Sequence, residues 1–188
     1  QGQEWAARLA HKVIHYLTAP TTAGRAYEVD TRLRPSGHGG ALVASLDSFQ
    51  HYHERRAQIW EAQALLRARP VAGDPAFCEQ VVAVVQSALF EFLKYPDLAG
   101  EIVRMRRRIE RELAREGPDR IDLKAGRGGI VDAEFLAQYL ALREGPRRPE
   151  LRGGSTSRLI EAASRLGLLR DAGDVLGLSL IHISEPTR

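Results

Sequence analysis

The fold is decided by the stretch YEVDTRLRPSG, which occupies residues 27–37. Its charged side chains alternate with uncharged ones and are Glu28, Asp30, Arg32 and Arg34. Because successive side chains of an extended chain point to opposite faces, the four charged groups would share one face of a strand. The alternation therefore predicts a β-strand over 26–34.

The chain on either side of this strand is predicted to be mainly helical. Glycines and a proline indicate a loop at 35–40, and 41–44 leaves room for a short second strand. Apolar residues elsewhere recur every three or four positions, which is typical of amphipathic helices. The predicted helices cover 4–18, 45–67, 75–95, 98–116, 130–143 and 155–166. Since one or two strands cannot bury both faces of a sheet, we expect its other strands to lie upstream of residue 1.

Composition indicates an ordinary soluble, cytoplasmic protein. Of the 188 residues, 44% are hydrophobic and 27% are charged, which is enough to build a core. Cys78 is the only cysteine, so we expect neither an internal disulfide nor a thiolate metal cluster. No apolar run approaches the ~20 residues of a membrane span, and the polar start shows no signal peptide. The net charge of +3 suits a phosphate-bearing partner but is too small to predict nucleic-acid binding.

The charged face of the predicted strand is the first candidate site. Same-face side chains stand ~7 Å apart, because a strand rises ~3.3 Å per residue. Carboxylates bind Mg²⁺ through oxygen, and Mg²⁺ and arginine together neutralise the charge of a phosphoryl group in transfer. The glycines that follow let backbone N–H groups approach a phosphate. From the residues alone, the alternative is a solvated face on which acids and arginines pair with each other.

A second candidate is the segment DLKAGRGGIVDAEF at residues 122–135. Its glycines precede a predicted helix N-terminus, where free N–H groups and the helix dipole favour anions. Lys124 and Arg127 add positive charge. The alternative is a tight helix entry whose own Asp132 and Glu134 complement the dipole.

A third candidate is the segment WEAQALLRARP at residues 60–70. Gln63 and Arg67 lie one helical turn apart and can flank the same ligand. The alternative is a core tryptophan, Trp60, among surface charges. In the helix at 98–116, arginines have acids four positions on, which predicts surface ion pairs rather than a nucleic-acid interface.

Together the three segments resemble the bifunctional glutamine synthetase adenylyltransferase/adenylyl-removing family. They are GRAYEVDTRLRPSG at 24–37, WEAQALLRARPV at 60–71, and DLK with GGIVDAEF within 122–135. The resemblance implies a fold that is mainly α: a remnant of one or two strands from a nucleotidyltransferase α/β domain, followed by a helical bundle. The implied domains are 1–72 and 73–177. Residues 178–188 break with the preceding composition and are interpreted as a non-native tail.

The resemblance also implies an activity. The family transfers AMP from ATP to a tyrosine of glutamine synthetase and removes it by phosphorolysis, uses Mg²⁺, and responds to a nitrogen-signalling regulatory protein. Asp30 corresponds to the third of three metal-binding carboxylates, and Arg32 and Arg34 correspond to arginines beside the nucleotide. The candidate nucleotide-binding residues are Glu28, Ser36, Gly37 and Lys124. No Asp-x-Asp pair occurs for the other two carboxylates, so we expect the chain alone to be inactive. The sequences at 35–37 and 60–69 favour the adenylylating half of the family.

Two alternatives stay open. A uridylyltransferase-type enzyme of nitrogen signalling would need a downstream phosphohydrolase module rich in His and Asp, which this sequence lacks. A non-catalytic helical interaction domain would leave the charged face solvated. For such a domain, Asp30→Asn would leave turnover intact, whereas the adenylyltransferase would lose a residue of its active site.

Overall fold

The computed structural model of the chain describes residues 2–92, 96–117 and 119–169, and the tail predicted at 178–188 lies outside them. The chain divides into two units, Gln1–Ala57 and Gln58–Arg188. The predicted domain boundary at 72/73 rests on the family resemblance and stays a prediction. Among the described residues, no helix combines the length and the apolar character needed to cross a membrane.

The first unit begins with helix α1 (Gly2–Thr18) and ends with helix α2 (Leu46–Arg55). Between them lie the antiparallel strands β1 (Pro20–Thr21) and β2 (Gly24–Arg25) and a 3-10 turn, Gly37–Gly39. The α1 helix confirms the prediction for 4–18. Its apolar stripe is exposed, however, and none of its residues is buried.

The strand predicted over 26–34 does not form. Residues 26–32 have no regular secondary structure, and a bend and turn follow at 33–36; 41–44 is not a strand either. The physical reason is that a strand requires a neighbour to hydrogen-bond its backbone, and the described part of the chain pairs only β1 with β2 in a sheet. The fold class, mainly α with a small strand remnant, is confirmed.

The second unit is helical. Its helices are α3 (Ile59–Leu65), α4 (Pro75–Ser87), α5 (Leu98–Leu113), α6 (Ile130–Glu144) and α7 (Thr156–Arg165). A π-helical turn, Ala88–Phe92, extends α4, and a 3-10 turn, Pro149–Leu151, precedes α7. The prediction of a single helix over 45–67 is wrong. Helix α2 ends at Arg55, and α3 begins after it with a capping box between Gln58 and Glu61.

Capping explains where several helices start. Asp74 accepts a hydrogen bond from the N–H of Phe77 at 3.0 Å, and Pro75 is the first residue of α4. Asp97 and Ser155 cap α5 and α7 in the same way.

Helix α6 lies at the centre of the second unit and contacts α3, α5 and α7. Alanines recur along it every four residues, at Ala133, Ala137 and Ala141, and all three are buried. Small side chains in one row let neighbouring helices approach closely. Leu151 and Ile160 are fully buried large residues of the same core.

Candidate functional site

Asp30 and Arg32 form a tight, exposed ion pair. The Arg32 Nε lies 3.0 and 2.9 Å from the two carboxylate oxygens of Asp30, and Nη2 lies 2.6 Å from Oδ2. The backbone N–H of Arg32 also donates to Asp30 Oδ1, at 2.9 Å. This hydrogen bonding raises the pKa of Arg32 above its ordinary value, and the charge of Asp30 adds to the effect. The Arg32 side chain therefore stays a cation at every working pH.

Arg34 holds the following loop together. Its Nη1 donates to the carbonyl of Thr31 at 2.5 Å, and Nε and Nη2 each lie 3.4 Å from the carbonyl oxygen of Gly40. A side chain at Gly40 would not fit, because its Cβ would lie 2.1 Å from the carbonyl oxygen of Pro35. In this structure Arg34 thus serves the backbone of the loop, and its role beside a nucleotide stays a prediction.

The other predicted residues of the 27–37 segment make fewer contacts that bear on a binding site. Glu28 and Ser36 are exposed, and Ser36 has a left-handed backbone with φ of 62°. The N–H of Gly37 donates to the carbonyl of Arg34 at 2.8 Å, so this amide is engaged within the turn. Their proposed contacts with a nucleotide remain predictions.

The described residues of the 27–37 segment do not by themselves form a binding site for a magnesium ion. The described part of the chain contains no group of three or more His, Cys, Asp or Glu side chains placed to hold a metal. Asp30 supplies one carboxylate, and the guanidinium of Arg32 already lies against it. One carboxylate is too few for a hard cation that prefers six oxygen ligands.

The second segment is a closed helix entry. The N–H groups of Ile130, Val131 and Asp132 donate to loop carbonyls at 3.0, 3.1 and 3.0 Å. Asp132 Oδ2 accepts from the N–H of Gly128 at 2.6 Å. Because these amides are engaged, the structure favours the tight helix entry over an anion site. Lys124 is exposed beside this loop, and its role with a nucleotide stays a prediction.

Asp122 organises the same loop from its other end. Its carboxylate accepts from the N–H groups of Ala125 at 2.9 Å and of Arg115 and Lys124 at 3.0 Å each. These hydrogen bonds, that of Ala125 most strongly, lower the pKa of Asp122 below its ordinary value. No role was predicted for Asp122, although an Asp before a glycine-rich turn is a frequent cap.

Asp122 gives a prediction for the pH dependence of stability. Its pKa is lower in the folded chain than in the unfolded one, so its contribution to stability is full above pH ~4 and is lost as pH falls through the lowered pKa. We expect Asp122→Asn to lower the midpoint of urea unfolding at pH 7 and to flatten its decline between pH ~5 and pH ~2. Urea titrations at a series of pH values measure this, with Asp119→Asn as the exposed control. An unchanged acid dependence would contradict it.

Arg106 is a buried ionic residue that the sequence placed on a solvated face, and that placement is wrong. It is only 8% exposed, and its Nε donates to Asp132 Oδ1 while Nη2 donates to the carbonyl of Gly126 at 2.8 Å. The Arg106–Glu110 pair that the sequence predicts has a separation of 3.8 Å. A signal existed: Arg106 lies four residues after Ile102, on the buried stripe of α5.

The third segment separates its two candidate residues. Gln63 is buried and donates from Nε2 to Gln138 Oε1 at 2.7 Å. The exposed Arg67 donates from Nη2 to Glu134 Oε1 and to Thr156 Oγ1, both at 3.0 Å. The two residues therefore do not flank one ligand. The alternative of a core tryptophan is also wrong, since Trp60 is exposed.

These observations define the class of protein: it is mainly helical and carries an arginine–carboxylate pair on an extended segment that is bounded by glycines. Comparison with known proteins makes the class specific. Residues 1–83 match the family model of glutamate-ammonia ligase adenylyltransferase. With the relatives described next, this match shows that the chain belongs to this family, which confirms the resemblance seen in the three segments.

Curated relatives match a longer part of the chain than the family model does. The chain is 45% identical over 168 residues, or 89% of its length, to the bifunctional glutamine synthetase adenylyltransferase/adenylyl-removing enzyme of Xanthomonas axonopodis pv. citri (strain 306). It is 51% identical over 148 residues, or 78% of its length, to the enzyme of the same name from Xanthomonas campestris pv. campestris (strain B100). The chain spans 18% and 16% of the lengths of these two relatives.

Proposed function

We propose that this chain is part of an enzyme that transfers AMP from ATP to a tyrosine of glutamine synthetase and removes it by phosphorolysis, and so regulates nitrogen assimilation. The observation that carries the proposal is the 45% and 51% identity to relatives named for these two activities. Since the chain spans less than a fifth of those relatives, the activity belongs to the longer protein. We expect the chain alone to be inactive.

The 27–37 segment supplies groups that suit nucleotide chemistry. A guanidinium fork matches carboxylate and phosphate oxygens equally well in geometry. The carboxylate of Asp30 therefore occupies the fork of Arg32 as a phosphate would, at 2.6–3.0 Å. When a nucleotide phosphate takes its place, Arg32 moves to the phosphate and the carboxylate of Asp30 is released. Arg34 keeps the loop closed through Thr31 and Gly40 during this exchange.

We infer ATP as the substrate and Mg²⁺ as the metal of the reaction from the family. The described residues do not fit the metal by themselves, so no step is assigned to it. The inferred protein partners are glutamine synthetase and a nitrogen-signalling regulatory protein, in the cytoplasm. Neither a nucleic acid nor a membrane is proposed as a partner.

The choice between the two activities can be tested directly. We propose that this chain belongs to the adenylylating half, because the sequences at 35–37 and 60–69 resemble that half of the family more closely. In the longer protein, Arg32→Gln is expected to reduce AMP transfer to glutamine synthetase at least ~10-fold and to leave phosphate-driven removal nearly unchanged. Radiolabelled AMP incorporation and release measure the two rates. Loss of removal alone would assign the chain to the other half, and loss of neither would contradict a catalytic role.

A further inference from the structure

The second unit contains a cleft of about 930 Å³ that no step of the proposed reaction uses. It lies between the end of α3, helix α4, the start of α6 and the loop that precedes α7. Its floor is apolar and includes Leu66, Val85, Leu89 and Ile130. Its rim carries three arginines, Arg67, Arg69 and Arg152.

Two of these guanidinium groups are held in place by the protein. Arg67 is fixed by Glu134 and Thr156, as described above. Arg152 donates from Nε to the carbonyl of Gly145 at 2.7 Å and from Nη2 to that of Pro146 at 3.1 Å. Its guanidinium carbon also lies 5.3 Å from the centre of the Phe90 ring. Groups that are fixed before a ligand arrives lose less conformational entropy when it binds.

The charge of the rim is not balanced. Among the residues that line the cleft, Glu134 is the only acid beside three arginines, and it pairs with Arg67. Arg69 is exposed and makes no ion pair or side-chain hydrogen bond within the part of the chain that the structure describes. The cleft thus holds a net positive charge with one guanidinium ready to bind an anion.

We propose that this cleft binds a phosphate-bearing small molecule of about nucleotide size. The phosphate lies against the fork of Arg69, whose planar geometry suits phosphate oxygens, and Arg67 and Arg152 add positive charge beside it. The apolar part of the ligand lies on the floor formed by Leu66, Val85 and Leu89. The volume is within the ~300–1,000 Å³ range of sites for small ligands. All residues that line the cleft belong to the second unit, and the proposal does not depend on the proposed transfer activity.

Calorimetric titration of the 188-residue chain at low ionic strength tests the proposal, with AMP, adenosine and inorganic phosphate as the probes. AMP is expected to bind at least ~10-fold more tightly than either of the others, because only AMP uses both the arginine rim and the apolar floor. Arg69→Ser is expected to weaken AMP binding ~10-fold. Arg165→Ser, at an exposed arginine of α7 outside the cleft, is the matched control and should leave the affinity unchanged.

Several outcomes would overturn the proposal. The first is that AMP does not bind; the second is that adenosine or phosphate binds as tightly as AMP. Equal weakening by Arg69→Ser and Arg165→Ser would show a general effect of charge. A third variant, Arg32→Ser, separates this site from the transfer site: AMP binding that depends on Arg32 and not on Arg69 would place the nucleotide on the 27–37 segment. That result would contradict binding in the cleft and would leave the proposed function uncontradicted.

Discussion

Asp30→Asn in the longer protein is expected to lower the rate of AMP transfer to glutamine synthetase at least ~100-fold. Asparagine keeps the shape of the side chain but removes its charge. The asparagine is not an anion, so it cannot form the ion pair with Arg32. It also lacks the carboxylate that the family resemblance assigns to this position as a metal ligand. Initial rates of AMP incorporation with saturating ATP measure the effect.

The loss should come from chemistry rather than from unfolding. The side chains of Asp30 and Arg32 are 50% and 67% exposed, and exposed ion pairs contribute only ~0–1 kcal/mol to stability. The melting temperature of the variant should therefore match that of the parent protein. Asp47→Asn, at an exposed acid in the first turn of α2, is the control and should retain full turnover. If Asp30→Asn also retained turnover, the 27–37 segment would be a solvated surface and the chain an interaction domain.

Most helices of this fold were predictable because their signals are local, although the break between α2 and α3 was not. Asp74 before Pro75 marks the start of α4, and Ser155 marks the start of α7, through hydrogen bonds to amides three residues away. The absence of a strand at 26–34 was not predictable by the same means. Alternation shows only which side chains would share a face, whereas a strand also needs a partner, and the partner is not determined by the segment itself.

The contacts of the candidate site also differ in whether they are local in sequence. The Asp30–Arg32 contact joins residues two positions apart, so it needs only the local conformation of the segment, in which the Asp30 carboxylate accepts from both the backbone N–H and the guanidinium of Arg32. The contacts of Arg67 with Glu134 and of Gln63 with Gln138 join residues 67 and 75 positions apart. They exist because α3 packs on α6, and the packing of two helices cannot be read from the period of either one. The three segments that carry the resemblance thus include two that meet in space.

Arg106→Ala is expected to destabilise the second unit by about 2–3 kcal/mol, somewhat less than the ~3–5 kcal/mol that breaking a fully buried ion pair costs. The change removes the donors to the carbonyl of Gly126 and to Asp132, and it leaves a cavity beside Ile102. The cost is not larger because Asp132 is 39% exposed and keeps the N–H of Gly128 as a partner. Urea unfolding followed by circular dichroism measures the difference.

Helix α5 offers a matched control on its opposite face. Arg108→Ala removes an exposed pair with Glu112 at 2.8 Å, which is expected to cost less than ~0.5 kcal/mol. Equal effects of the two variants would show that Arg106 behaves as a solvated residue, as its sequence context suggests.

Arg106→Met distinguishes the ionic role of Arg106 from its volume. Methionine refills most of the cavity, and replacing both partners of a buried pair by apolar groups is often neutral. Here, however, one partner is a backbone carbonyl, that of Gly126, which no substitution can remove. Its oxygen would keep the N–H of Gly129 as a donor at 3.1 Å but lose the charged donor, and a hydrogen bond from a charged group contributes ~1.5–3 kcal/mol. Arg106→Met should therefore regain only part of the stability lost in Arg106→Ala, and full recovery would mean that Arg106 acts through packing alone.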